Sequence, residues 1–85
     1  MRLFQLTQAK LPALLTFATA DDYLLLRQDA VYLLLQPQHW PCRLGVLAND
    51  LQARGLVCPA DVDKLTDSQW VELTLQATQV ILCQN

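Results

Sequence analysis

Eighty-five residues hold one domain and leave no room for a second core. Hydrophobic residues make up 53% of the chain and charged residues 16%, against an ordinary charged share of about 25%, so part of this apolar content belongs at a contact with another chain. The net charge is −2 and the six Lys and Arg residues are scattered, which argues against direct nucleic-acid binding, and the longest apolar run, residues 30–35, is too short to cross a bilayer.

Pro, Gly, Asn and Asp divide the chain into short elements. Leu3-Phe4-Gln5-Leu6 predicts a first strand. Leu11, Leu14, Leu15 and Ala18 follow at the spacing of one helix face, with Pro12 suited to the first turn. Arg2, Lys10 and the apolar residues 11–18 also imitate a secretory signal, but Pro12 and Thr16 interrupt the stretch, which is therefore assigned to the first strand and helix. After Asp21-Asp22, the unbroken run Tyr23-Leu24-Leu25-Leu26 predicts a strand covered on both faces. Asp29 is placed to cap a short helix over residues 30–35. Residues 36–41, with Pro37 and Pro41, predict a loop, and residues 42–47 a third strand.

Asn49 as N-cap and Gly55 just past the end frame a short helix over residues 50–54. Residues 57–60 predict a loop and residues 62–65 a brief fourth strand. Thr66 and Gln69 have capping-box spacing, opening a helix to about Ala77, and Val80-Ile81-Leu82-Cys83 predicts a last strand or an apolar tail. Strands alternating with helices predict a small, mainly parallel sheet of four or five strands, with short helices on both faces and incomplete cover.

Two glycines, Gly45 and Gly55, make neither a dinucleotide fingerprint nor a phosphate loop, so no cofactor is implied. Ser68, the only serine, suits a first helical turn better than a catalytic triad with His39. His39, Cys42 and Cys58 offer three metal ligands where structural zinc needs four. Three cysteines without a CxxC pair fit a reducing cytoplasm. Cys42 and Cys83 lie in apolar stretches as small hydrophobes. Cys58, before Pro59 in a loop, is the most exposed of the three and the one candidate nucleophile, although it follows a helix C-terminus, where the dipole works against a thiolate. Trp70 sits among core-type residues of the last helix; Trp40 is either an exposed anchor or a plug folded back on its loop.

Three stretches resemble the TusB/DsrH family of the DsrE/DsrF/DsrH-like superfamily. Leu24-Leu25-Leu26-Arg27-Gln28-Asp29-Ala30-Val31 is similar to the family's LLLxQDGV. Val46-Leu47-Ala48-Asn49-Asp50-Leu51-Gln52-Ala53-Arg54-Gly55-Leu56 resembles ALNxDLxARGL, the most specific of the three. Trp70-Val71-Glu72-Leu73-Thr74 resembles FVxLT, and Leu3-Phe4-Gln5-Leu6 loosely matches an LHTL-like start.

The resemblance implies a three-layer α/β fold and assembly with TusC-like and TusD-like subunits into a heterohexamer with two copies of each. It further implies a relay of persulfide sulfur, from a TusA-like donor through the TusD-like subunit to a TusE-like acceptor. That sulfur ends in the 2-thio group of the tRNA wobble uridine, or serves dissimilatory sulfur metabolism in DsrH-type relatives. Three departures stand out. Ala30 replaces the family's glycine, residues 14–18 (Leu, Leu, Thr, Phe, Ala) lack the first-helix cysteine of sulfur-oxidiser relatives, and no terminal tryptophan follows Cys83. The expectation is a cytoplasmic subunit with no catalytic thiol of its own, meeting partners through a surface that includes His39, Trp40, Asp50, Arg54 and Trp70. A thiol sulfurtransferase using Cys58 is the alternative.

Overall fold

The computed structural model describes residues 1–36 and 39–83, and its apolar runs form one five-stranded sheet. The strands are β1 (Arg2–Leu6), β2 (Tyr23–Leu26), β3 (Arg43–Leu47), β4 (Asp63–Leu65) and β5 (Gln79–Cys83), in the order β4-β3-β2-β1-β5, with every pair parallel. Of the two expectations for residues 80–83, a last strand or an apolar tail, the strand is what forms. The expectation of a loop at Pro37 and Gln38 lies outside the described residues. Among the described residues no helix is long and apolar enough to cross a membrane.

Alternation along the strands divides the core in two. Phe4, Leu6, Leu24, Leu26, Leu44 and Val46 point to one side, where Leu15, Ala30, Val31, Leu33 and Leu51 pack on them. Leu3, Tyr23, Leu25 and Leu47 point to the other, beneath Trp70, Leu73 and Ala77. The layers are those of a small α/β unit, but the cover is unequal. Three short helical segments roof the first side, and one helix, α2 (Asp67–Gln76), roofs the second.

The first two connecting helices are 3₁₀, and that corrects the expected α-helical face. The first spans Ala13–Phe17 after an extended Pro12. A 3₁₀ turn repeats every three residues, so Leu15 turns inward and Ala18 after it packs on the core, while Leu14 and Phe17 share an outward side and Leu11, ahead of the turn, is also exposed. Leu15 alone of the segment is buried, and Phe17 is 67% exposed. The second spans Gln28–Leu35 with the same threefold pattern. Ala30 and Leu33 point in, as does Val31, while Tyr32 and Leu35 point out. Ala30 has an ordinary negative φ, so the missing glycine there costs no strain.

Two expected caps are also corrected. Asp29 does not cap the second 3₁₀ helix, which begins at Gln28 without any cap from its own N-cap side chain; it accepts from Arg54 instead. Asn49 lies inside α1 (Ala48–Ala53), whose N-cap is Leu47. At the other end of α1, Gly55 takes φ +65°, and the N–H groups of Gly55 and Leu56 return to the carbonyls of Gln52 and Leu51. That is a Schellman closure, and it needs a residue tolerant of left-handed backbone. The capping box of α2 forms as expected: Gln69 N–H donates to Thr66 Oγ1 and Thr66 N–H to Gln69 Oε1.

Cys42 lies one residue ahead of β3 and is half-buried, whereas Cys83 ends β5 and is buried. At the amino ends of β1 and β2, Asp22 accepts from Arg2 N (3.2 Å), Arg2 Nη2 (2.7 Å) and Thr19 N (2.8 Å). The Arg2 guanidinium, and after it the Thr19 amide, hold the Asp22 carboxyl well below the usual carboxylate range.

Two predictions follow from this packing. A Cβ at Gly45 would overlap the Tyr23 hydroxyl and sit 2.8 Å from its ring, so Gly45→Ala should cost roughly 1–3 kcal/mol as overpacking, read as a lower urea midpoint. Because the folded carboxyl of Asp22 titrates below its unfolded value near pH 4, its stabilisation is complete above that pH. It is lost as pH falls through the folded value. Asp22→Asn should therefore lower Tm at neutral pH, and the gap from wild type should close on acidification below about pH 4.

Candidate functional site

Open parallel sheets bind ligands outside the carboxyl ends of their strands, where neighbouring connections leave to opposite faces. Here that place lies between β3, which leads to α1 on one side, and β4, which leads to α2 on the other. Asn49 Nδ2 spans it, donating to Asp67 Oδ2 at 3.3 Å. Asp50 in the first turn of α1 and Asp67 in the first turn of α2 put carboxylates on both positive helix ends. A phosphate or other anion would meet these charges, so the usual chemistry of this position is pre-empted.

Beside it, the stretches carrying the QDA and DLQARG motifs meet in space. Gln28 has φ +52°, the one described non-glycine residue with positive φ. Its N–H donates to Asp50 Oδ2 at 3.0 Å, so an acceptor 22 residues away holds the left-handed turn that opens the second 3₁₀ helix. Arg54 then ties both sides together. Its Nη2 donates to Asp29 Oδ1 at 2.9 Å, and its Nη1 lies 3.7 Å from Asp50. Asp50 and Arg54, singled out from sequence, therefore lock two connections to each other.

Arg27, the residue after β2, turns toward the α2 side. Its Nη1 donates to Gln5 Oε1 at 3.0 Å, and its guanidinium stacks 4.3 Å from the centre of the Trp70 ring. Arg27 Nε and Trp70 Nε1 are both shut off from the surface, and neither has an acceptor in the structure. Trp70 is a core packer with a cation on its face, and the indole N–H is left over.

The sequence-derived set thus falls into two places. Asp50, Arg54 and Trp70 lie at the carboxyl end of the sheet. His39 and Trp40 lie at the other end, ahead of β3. His39 is exposed, and Trp40 packs partly against the core beside Leu11, Pro12 and Leu15. Trp40 is therefore a half-buried plug with one apolar flank open. His39 and Cys42 border one cleft and Cys58 another, and among the described residues no group of three His, Cys, Asp or Glu side chains is placed to hold a metal.

One polar cluster escaped the sequence reading. Tyr23 Oη donates to Asp63 Oδ2 at 2.7 Å, and Arg43 Nε donates to the same oxygen at 2.7 Å. Burial opposes ionisation of Asp63, but these two donors outweigh it and hold the carboxyl below its usual range. Burial first, then Asp63, pushes the Tyr23 hydroxyl up. The three line a cleft of about 330 Å³ along the Gln69, Glu72 and Gln76 flank of α2. A first-position polar residue in each of three strands was its only trace in sequence.

The thiols are all free, and none sits at a helix N-terminus. Cys58 is half-buried rather than exposed. Its Sγ–H faces the carbonyl oxygens of Val62 (3.3 Å) and Pro59 (3.4 Å), acceptors that favour the protonated form. Burial pushes the Cys58 thiol up; Lys64 pulls it down, but Asp63 and Asp61 push it up again, and the net direction is upward. Burial likewise raises Cys42, with help from Asp22, and raises Cys83.

The lock makes a paired prediction. Asp50→Ala should lose about 1–2 kcal/mol by removing the acceptor of the Gln28 amide. Gln28→Gly should gain up to about 1 kcal/mol by relieving the left-handed backbone. Denaturant melts of the two variants should shift in opposite directions.

Compared with known families, residues 5–80 match the model described as DsrH like protein. No curated protein matches the chain.

Proposed function

The chain belongs to the DsrH-like family, which ties it to sulfur relay, and on that premise we propose that it is a non-catalytic subunit of a TusBCD-like complex in the cytoplasm. In that role it supports 2-thiolation of the tRNA wobble uridine by completing an assembly with TusC-like and TusD-like chains. The transferable sulfur rides on a thiol of another subunit and passes on to a TusE-like acceptor.

One observation carries the non-catalytic part of this reading. Sulfur carriage needs a thiolate, and thiolates are made by nearby cations or helix N-termini. All three cysteines here are instead shifted toward the protonated form, burial being the first cause in each. The subunit part rests on apolar surface that the fold leaves uncovered. Leu14 and Phe17 form an outward row on the first 3₁₀ turn, and the exposed Leu11 ahead of it lines a cleft with Trp40. A partner chain covering that row would bury aromatic and aliphatic side chains of the kind that dominate interface energetics.

The test is complementation in a strain lacking this chain, with the wobble-uridine thio group measured by mass spectrometry. A variant carrying Cys42→Ser, Cys58→Ser and Cys83→Ala should restore thiolation to the wild-type level and co-purify with the TusC-like and TusD-like chains. Phe17→Lys should weaken that co-purification at least tenfold. A Cys58→Ser chain that assembles normally yet fails to restore thiolation would overturn the reading.

A further inference from the structure

The two edges of the sheet are protected unequally. β4 is three residues long and carries Asp63 and Lys64, a short, charged edge of the kind that resists pairing. β5 has five residues, Gln79-Val80-Ile81-Leu82-Cys83, with no charge and no proline. Among the described residues its only strand neighbour is β1. Its outward N–H and C=O groups therefore stand ready for a further strand.

The side chains beside that edge are apolar as well. Val80 and Leu82 fall in register with Leu3 and Gln5, on the α2 side of the sheet, and are 46% and 50% exposed. The polar cleft runs along the Gln69, Glu72 and Gln76 flank of α2. At about 100° per residue, Thr74 lies on the opposite flank, while Val71 and Leu75 turn away from the sheet. Both are exposed, Leu75 at 80%.

We propose that β5 is the contact between two copies of this chain, paired antiparallel about a two-fold axis at Ile81, so that two five-stranded sheets become one. The strand is close to symmetric about that residue. Val80 meets Leu82 of the partner subunit and Leu82 meets Val80 of the partner subunit, while Gln79 and Cys83 exchange at the ends. Every half-exposed apolar side chain of the strand then faces another. No like charges are brought together, because the strand holds none. The same operation at β4 would set Lys64 against its own copy. An isologous contact asks for this self-complementarity, whereas an unrelated strand would not require it. The contact also leaves Leu11, Leu14 and Phe17 free, since they lie over the other side of the sheet.

Sedimentation equilibrium of the full chain under reducing conditions tests this. Wild type should show twice the chain mass from low micromolar concentration upward. Val80→Lys should weaken the dimer at least tenfold, while Leu35→Lys and Val57→Lys, apolar positions elsewhere that are more exposed still, leave it unchanged; thermal melts check that each variant folds. Mixing the Val80→Lys chain with a Leu82→Glu chain should restore the dimer, because the two charges face each other only in this register. A monomeric wild type, a dimer indifferent to Val80→Lys, or a β5 edge that pairs only with an added TusC-like or TusD-like chain would each overturn the proposal. None of these results bears on whether the thiol-free variant supports thiolation.

Discussion

A ten-residue helix has to roof one side of a five-stranded sheet, and it is too narrow to do so. Five strands about 4.8 Å apart span roughly 19 Å, whereas a helix with its side chains is about 10–12 Å wide. α2 spends its inward face, Trp70, Leu73 and Ala77, on Leu3, Tyr23, Leu25 and Leu47 in the middle of the sheet. What lies to either side stays open. Toward β4 the gap is lined with polar groups, the Tyr23, Arg43 and Asp63 cluster, which can face water. Toward β5 it is lined with Val80 and Leu82, which gain nothing from water. The asymmetry turns one open margin into a solvated cleft and the other into a surface that gains by being covered.

The other side of the sheet has the opposite problem: three covering segments, none long. Two of them are 3₁₀ helices, whose threefold repeat lines up side chains in rows rather than spreading them around a cylinder. Inward rows seal the core through Leu15, Ala30 and Leu33, and outward rows carry Leu14 and Phe17 on the first helix and Tyr32 and Leu35 on the second. A compact roof and an exposed apolar row are therefore two results of one geometry. The carboxyl end of the sheet, where an α/β fold would place its chemistry, is instead spent on locking these connections. Asp50, Arg54 and Asn49 tie Gln28, Asp29 and Asp67 together, and no thiol or imidazole lies among them. The usual active position of the fold is thus spent on structural contacts, and burial pushes all three cysteine thiols up.

Much of this was legible in the chain. Tyr23-Leu24-Leu25-Leu26 read as a strand covered on both faces, and Thr66, Gln69 and Gly55 announced their caps, because those signals depend on neighbours within a few residues. The meeting of the QDA and DLQARG stretches was not legible, although the motifs themselves were. The cap on Gln28 comes from Asp50, and the partner of Asp29 is Arg54, so sequence proximity suggested a local cap that never forms. The 3₁₀ turns escaped for a different reason. Leu11, Leu14, Leu15 and Ala18 fit one face at a 3.6-residue period, whereas the 3₁₀ turn that forms buries Leu15 and leaves Leu14 exposed, a difference their spacing does not signal. The Tyr23–Asp63 contact joins residues 40 apart through strand register, which no local pattern encodes.

Among the described residues one margin of the sheet, β5, is left bare, and the proposed pairing has a second copy of the chain cover it. Hydrogen–deuterium exchange of the purified chain over a range of concentrations reads this directly. Amides of β5 should exchange readily in dilute solution and gain protection as concentration rises, while those of β1 and β2 stay slow throughout. If β5 is already as slow as β1 and β2 at the lowest concentration, and does not change, the margin is covered from within and the account is contradicted.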